Sequence, residues 1–468
     1  MDTIEIKEKT GLSENADFGD ARLNKRLEII TDHLSDALDS PIPSAAVNWA
    51  TTKATYRFFD NKNVNPQAII EAHSNTFIPQ ISDEPQRIYQ HSDTVDFDYT
   101  GKKAADNLGP LNYINRRGLY THNSLIINSS WQPMGMLHQT HNVRDDDGFG
   151  KSAAREKLPF EQKESYRWKT HFDKGQDLVK ANPNLEVVYV ADREADIMEL
   201  FAARTNENMH FVIRSKHNRN LVGEDCKLWE KIDQSPITDT YAIKVTDVVT
   251  KKKKEVPVNL RFTDVTIQLS PRTYSSAKSL QVNLSVISVE QVAPKQPNKP
   301  YIKWVILTTL PVRTVEEARQ IIKIYTKRWL IERFHFLLKS GGANVEELQL
   351  ETAARIQNAI STYTIAAMKV FKLRYIAENQ PNTPISEIGI SVEEYLVLYD
   401  FIHEKIDSRV CFNPDHIPSA EEFCIAMASI VGFLPSKRQK LPGLKVLARA
   451  VDKFTLIFDA FTVFMSMN

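Results

Sequence analysis

Two short runs, Arg87–Ser92 (RIYQHS) and Glu186–Ala191 (EVVYVA), each read as a buried strand and each run straight into an aspartate, Asp93 and Asp192. Ser124–Asn128 (SLIIN), Met209–Arg214 and Tyr301–Thr309 (YIKWVILTT) are further core strands. Between them the pattern changes: Glu194–Arg204 reads as a helix, and residues 240–292 alternate in period two through YAIKVTDVV, VPVNLRF, DVTIQLS and SLQVNLSVISV. Residues 18–80 are helical, with Asp20 as a cap before Leu23, Leu27, Ile30 and Leu34. After Tyr301–Thr309, Thr314 and Glu317 open a long helix as a capping box, and Gly341 closes it. From Pro381 onward the chain is helical and loop-rich. The fold class is α/β: a helical head, an α/β core interrupted by a β-rich insertion, and a helical tail.

At 468 residues the chain has room for about three domains and needs no staples. Cys226, Cys411 and Cys424 form no C-x-x-C, which predicts neither a disulfide framework nor a zinc site and fits a reducing cytoplasm. The start MDTIEIKEK lacks an apolar core, so no secretory signal is expected, and Phe454–Met467 is too short to span a bilayer. Gly150-Lys151-Ser152 lacks the first glycine of a phosphate loop, and Asp145-Asp146-Asp147-Gly148 lacks the alternation of a calcium loop; both read as solvated loop.

The carboxylates after the strands carry more. In open α/β sheets ligands gather beyond the carboxyl ends of strands, and two acids there suit Mg2+ or Mn2+. The plainer alternative makes Asp93 a turn residue and Asp192 a helix cap. On the long helix, Tyr325, Arg328, Glu332 and Lys339 fall within a stripe roughly 60° wide at about 100° per residue. Such a stripe is either a solvated face or a phosphodiester grip, with the carboxylate on metal and Arg and Lys on phosphate. Trp329 reads as a core aromatic; Trp304 is either core or a platform for an unpaired base.

The spacing Tyr325-x2-Arg328-x3-Glu332-x6-Lys339, in YTKRWLIERFHFLLK, resembles the Y-(2)-R-(3)-E-(6)-K signature of bacterial cut-and-paste DDE transposases of insertion sequence family four. Asp192-Arg193-Glu194-Ala195-Asp196-Ile197, followed by Phe211–His217, resembles the family's second-aspartate motif, and Asp93-Thr94 its first. Phe18-Gly19-Asp20-x-Arg22, Arg26-Leu27 and Ala54–Phe58 resemble its end-binding head; Leu137-His138-Gln139 resembles part of the core, and Gly432-Phe433 with Ser436-Lys437-Arg438 its dimerisation region. Thr94-Val95 and Leu119-Tyr120 depart from the common pattern.

The resemblance implies an RNase H-like core with its β-rich insertion at about 236–299, a DNA-binding head at 1–72, a catalytic core at 73–375 and a dimerisation domain at 376–468. It implies that Asp93, Asp192 and Glu332 hold two Mg2+ ions, with Mn2+ able to substitute, for in-line displacement. By the same resemblance Tyr325, Arg328 and Lys339 grip phosphates, Arg214 and Lys216 hold the backbone nearby, Trp304 holds a flipped base, and Arg22, Arg26 and Arg57 contact the transposon end. Implied partners are double-stranded DNA, as terminal inverted repeats and as target, and a second copy of the chain in the synaptic complex; no membrane or nucleotide cofactor is expected. The expected location is the bacterial cytoplasm, at the nucleoid. Two rivals share these residues: a metal-dependent nuclease without strand transfer, and a catalytically silent end-binding regulator.

The 59 basic and 59 acidic residues cancel, which at first argues against DNA. Yet residues 431–453 hold six basic groups against Asp452, and 313–339 hold seven against three acids. Affinity follows such local phosphate contacts rather than the chain total.

Overall fold

A computed structural model describes residues 11–46, 48–81, 86–146, 158–246, 253–268, 281–296, 301–405, 416–437 and 439–466. Asp147, Gly148, Gly150-Lys151-Ser152, Lys251, Lys252, Cys411 and Arg438 lie outside them. The chain forms two compact units. The first comprises Met1–Ser82, Thr94–Lys151 and Ile331–Asn468; the second comprises Asp83–Asp93 and Ser152–Leu330. It is a mixed α/β fold with a helical N-terminus and C-terminal helices.

In the second unit a parallel core is built from apolar runs. The first half of β1 (Gln86–Asp98) pairs in parallel with β5 (Leu185–Ala191), and β5 pairs in parallel with β6 (Met209–Arg214). Strands buried on both faces need continuous apolar sequence, and Val187–Ala191 and Phe211–Ile213 supply it. The helix Tyr166–Ala181 packs on β5 and β6. Gly175 permits the approach: a Cβ there would stand 2.2 Å from Gln90 Oε1. Beyond β6 the sheet turns antiparallel through β10 (Lys303–Thr308), β9 (Gln281–Gln291), β8 (Lys253–Gln268) and β7 (Asp239–Thr246). The period-two stretch is thus a three-stranded meander joined edge-on to β10.

In the first unit, β3 (Arg117–Ile127) and β4 (Pro133–Asn142) form an antiparallel hairpin, with β2 (Gly109–Pro110) beside β3. The helix Ala353–Asn379 is buried along most of its length and around its circumference rather than on one stripe. The head helices Ala21–Asp36 and Pro66–Phe77, β4, and the tail helices Ala420–Ser429 and Leu444–Ser466 pack against it. Among the described residues no helix is long and apolar enough to cross a membrane.

Four expectations change. The strand carrying Asp93 does not end there but runs to Asp98; what ends is its registered pairing with β5, at His91. The helix expected over Glu194–Arg204 is a short 3-10 turn, Arg193–Ala195, then Met198–Ala203. The long helix is two helices, Val315–Lys327 and Trp329–Lys339, divided at Arg328. There the backbone N–H bonds to Tyr325 O, a tight i→i−3 contact that interrupts the regular ladder. Trp329, read as core, is 61% exposed, because the second helix buries Ile331, Phe334, Leu337 and Leu338 instead. The capping box at Thr314 and Glu317 forms as expected.

Candidate active site

The register of β1 on β5 pairs His91 with Val190. Two residues further along each strand stand Asp93 and Asp192, so the two carboxylates occupy matching positions beyond a parallel pair spaced about 4.8 Å apart. Both are half-buried. Two negative charges so placed repel each other unless cations offset them.

Arg328 supplies one such cation. Its Nη1 donates to Asp93 Oδ2 at 3.0 Å, with 11% and 17% of the two side chains exposed. Asp192 accepts from Glu194 N at 2.7 Å, which fixes the turn after β5. Behind the pair stands the buried Tyr189, whose phenol pKa is raised, above all by burial and further by the charges of Asp93 and Asp192; it donates to Trp168 O at 3.2 Å. His91, fully buried two residues before Asp93, is held neutral: burial first, then the charges of Arg328 and Lys327, bring its pKa to about 3.

Tyr325 joins this group from the helix Val315–Lys327. It is 7% exposed, and burial raises its phenol pKa, while Arg328 and Arg214 oppose the rise and Asp192 adds to it. The phenol therefore stays protonated and can donate to an anion. The half-buried Trp304, on β10, meets Tyr325 edge to face with centroids 6.0 Å apart. Arg214 ends β6, paired across β10 with Ile306, and its Nη2 donates to Lys303 O at 3.2 Å. Lys216, just beyond, is exposed. The second unit thus gathers Asp93, Asp192, Tyr325, Arg328, Arg214 and Trp304: two carboxylates as hard oxygen donors, a phenol, two guanidiniums and an indole.

Glu332 and Lys339 belong to the first unit, on the helix Trp329–Lys339. Lys339 Nζ lies 3.4 Å from Asp96 and 3.3 Å from Glu346. One turn beyond Glu332, His335 Nε2 accepts from Asn123 Nδ2 at 3.0 Å. Gln139 Nε2 donates to Asn123 Oδ1 at 2.7 Å and to Thr364 Oγ1 at 2.9 Å, and Ser361 donates to Gln139 Oε1 at 2.6 Å. Ser361 in turn accepts from His141 Nε2 at 3.1 Å, and Thr121 donates to His141 Nδ1 at 2.8 Å. This buried network holds the Glu332 helix to β3 and β4. The sequence singled out Gln139 but not its partners, Asn123 on β3 and Ser361 and Thr364 on the helix Ala353–Asn379, which are polar residues set among apolar ones.

In the head, Arg22 is exposed and paired with Asp20 at 2.8 Å; Asp20 also caps the helix Ala21–Asp36. Arg26 is half-buried and Arg57 exposed on the helix Trp49–Phe59.

Among the described residues no three His, Cys, Asp or Glu side chains are grouped so as to hold a metal ion. The oxygen-only character of Asp93 and Asp192 nevertheless fits a hard divalent cation rather than zinc or copper.

Residues 10–64 match the family model of the transposase DNA-binding domain, and residues 170–369 match that of the transposase DDE domain. The chain carries the DNA-binding and DDE domains of a transposase. The DDE match spans Asp192, Arg214, Lys216, Trp304, Tyr325, Arg328, Glu332 and Lys339 and begins downstream of Asp93; the DNA-binding match spans Arg22, Arg26 and Arg57. A solved structure, the cryo-EM synaptic complex of piggyBac transposase with hairpin DNA, aligns with 99% of this chain and 73% of that one. The identity is 10% and the TM-score 0.36, too low to define a shared fold.

Proposed function

We propose that this DDE transposase performs cut-and-paste transposition in the manner of insertion sequence family four. It would bind terminal inverted repeats, cleave them through a hairpin intermediate and join the freed 3′ ends to target DNA. The observation that carries this reading is the matched pair Asp93 and Asp192, with Arg328 on one carboxylate and a buried Tyr325 that feels the charges of Asp192, Arg328 and Arg214. Two carboxylates alone make a weak anion site; the guanidiniums and protonated phenol around them make a phosphodiester site.

Asp93, Asp192 and Glu332, in an RNase H-like core, would hold two Mg2+ ions, or Mn2+, whose role when bound is to activate the attacking oxygen and stabilise the leaving one. Arg328 neutralises Asp93 in the resting protein and turns to phosphate when DNA is bound. Tyr325 donates its phenolic proton to a phosphate oxygen, and Arg214, Lys216 and Lys339 add charge along the backbone. Trp304 offers a face for a base flipped from the stack. Arg22, Arg26 and Arg57 in residues 1–72 contact the transposon end, and residues 376–468 pair two copies in the synaptic complex.

The test uses the full chain with intact and pre-cut terminal-repeat duplexes and a supercoiled target. Mg2+-dependent joined products support transposition. Cleavage of intact ends without joining moves the assignment to a nuclease, and binding with neither reaction moves it to an end-binding regulator.

A further inference from the structure

Asp196 closes the acidic run that Asp192 opens, yet the reaction proposed above gives it no task. It is fully buried, and both of its carboxylate oxygens are engaged. Oδ2 accepts from the backbone N–H groups of Lys216 at 2.7 Å and His217 at 2.9 Å. Oδ1 accepts from Arg219 Nε at 3.2 Å and Nη2 at 2.5 Å, and the same Nη2 donates to Asp196 O at 2.9 Å. Arg219 is itself 8% exposed, with its guanidinium 5.2 Å from the centre of the Phe201 ring. A carboxylate so saturated has no oxygen to offer a metal or a substrate.

What it joins is more informative. On one side the turn from Asp192 is closed by Glu194 N on Asp192 Oδ1 and by Ala195 N on Asp192 O at 3.2 Å. On the other lies the segment after β6, which carries Arg214 and Lys216; Ser215 N donates there to Val305 O at 2.7 Å. One buried carboxylate therefore ties the turn holding Asp192 to the segment holding two proposed phosphate ligands. It does so through main-chain donors, which set backbone position more firmly than side-chain contacts do. We propose that Asp196, with Arg219 as its counter-charge, is a positioning residue that fixes the Arg214–Lys216 segment beside Asp192, so that both cations meet the phosphates flanking the reacting bond. This rests on the DNA-end reading given under Proposed function.

The salt dependence of binding tests it. Each lost phosphate contact lowers the slope of log K against log salt by about 0.9, whereas a lower folded fraction changes apparent affinity without changing the slope. Wild type, Lys216→Ala, Asp196→Asn and the double variant Asp196→Asn/Arg219→Gln are titrated against a fluorescein-labelled duplex ending in the element's terminal repeat. The double variant leaves no lone buried cation, so it carries the test where the single one does not fold, and Arg219→Gln alone is a further check. The expected result is a slope shallower by about 1–2 in the double variant, at least equal to the change in Lys216→Ala. A steep wild-type slope that the double variant retains overturns the clamp while leaving the DNA-end reading intact. A flat wild-type slope overturns that reading, and the clamp with it.

Discussion

Arg328 reaches Asp93 across the second unit with an Nη1–Oδ2 distance of 3.0 Å, joining residues 235 positions apart in the chain. The contact gives a half-buried aspartate a counter-charge. It also places a guanidinium, the side chain best shaped for phosphate, directly on one of the two carboxylates.

Removing that guanidinium takes a counter-charge from Asp93. Arg328→Ala should lose about 1–3 kcal/mol of stability, less than the ~3–5 of a fully buried pair because both groups keep some solvent contact. Added Mg2+ should narrow the gap, by restoring positive charge at the carboxylates. Thermal unfolding with Mg2+ and with EDTA measures both; an equal gap in the two conditions contradicts the assignment of Asp93 to the cation site.

Trp304 is half-buried and edge-on to Tyr325, so its role divides by reaction step. If it holds a flipped base, Trp304→Ala should slow hairpin formation by roughly 5- to 150-fold, the worth of about 1–3 kcal/mol of stacking. Nicking of the same duplex should change little, and Trp304→Phe should recover much of the loss. Equal loss in both steps would make the residue a packing element only.

Two carboxylates set opposite limbs of the pH–stability profile. Burial acts to raise the Glu186 pKa, but hydrogen bonds and charge from His210 and Arg87 outweigh it and hold it at about 2, against an ordinary 4.5. Its stabilising contribution is present above pH 4.5 and lost as pH falls toward 2. Asp452 is raised to about 6 from 3.8, chiefly by burial, so its contribution is complete below pH 3.8 and lost as pH rises through 6. Urea midpoints should show Asp452→Asn more stable than wild type at pH 8, with the gap closing by pH 4. Glu186→Gln should flatten the acid limb.

Gln139 bridges Asn123, Thr364 and Ser361 in the network that ends on His335. Gln139→Leu strands these partners in the core and should cost about 1–3 kcal/mol. Because His335 lies on the Glu332 helix, cleavage measured on folded protein should fall as well, while end binding stays near wild type. Stability loss with full cleavage would confine the network to packing.

The sequence revealed those parts whose signal is local. The apolar run closed by Asp192, the period-two alternation read over residues 240–292, and the Thr314–Glu317 capping box all follow from neighbouring residues. The break at Arg328 was hidden because apolar residues continue at helical spacing on both sides of it. Trp329 was misread for the same reason: a helix restarted after a tight turn presents a different face. Longer-range relationships left no trace. Nothing in the chain announces that β1 and β5 pair so that Asp93 and Asp192 match, or that Arg219 would find Asp196. Arg219 is one arginine among many until the fold buries it.

The most direct measurement is Mg2+-dependent cleavage of a terminal-repeat duplex by the full chain, compared with Asp93→Asn, Asp192→Asn and Glu332→Gln at equal folded concentration. Each variant should still bind the duplex yet lose cleavage and hairpin formation by about 1,000-fold or more, as expected when a group that holds the reacting centre is removed. Near-wild-type cleavage by any one of the three would contradict its place in the catalytic set.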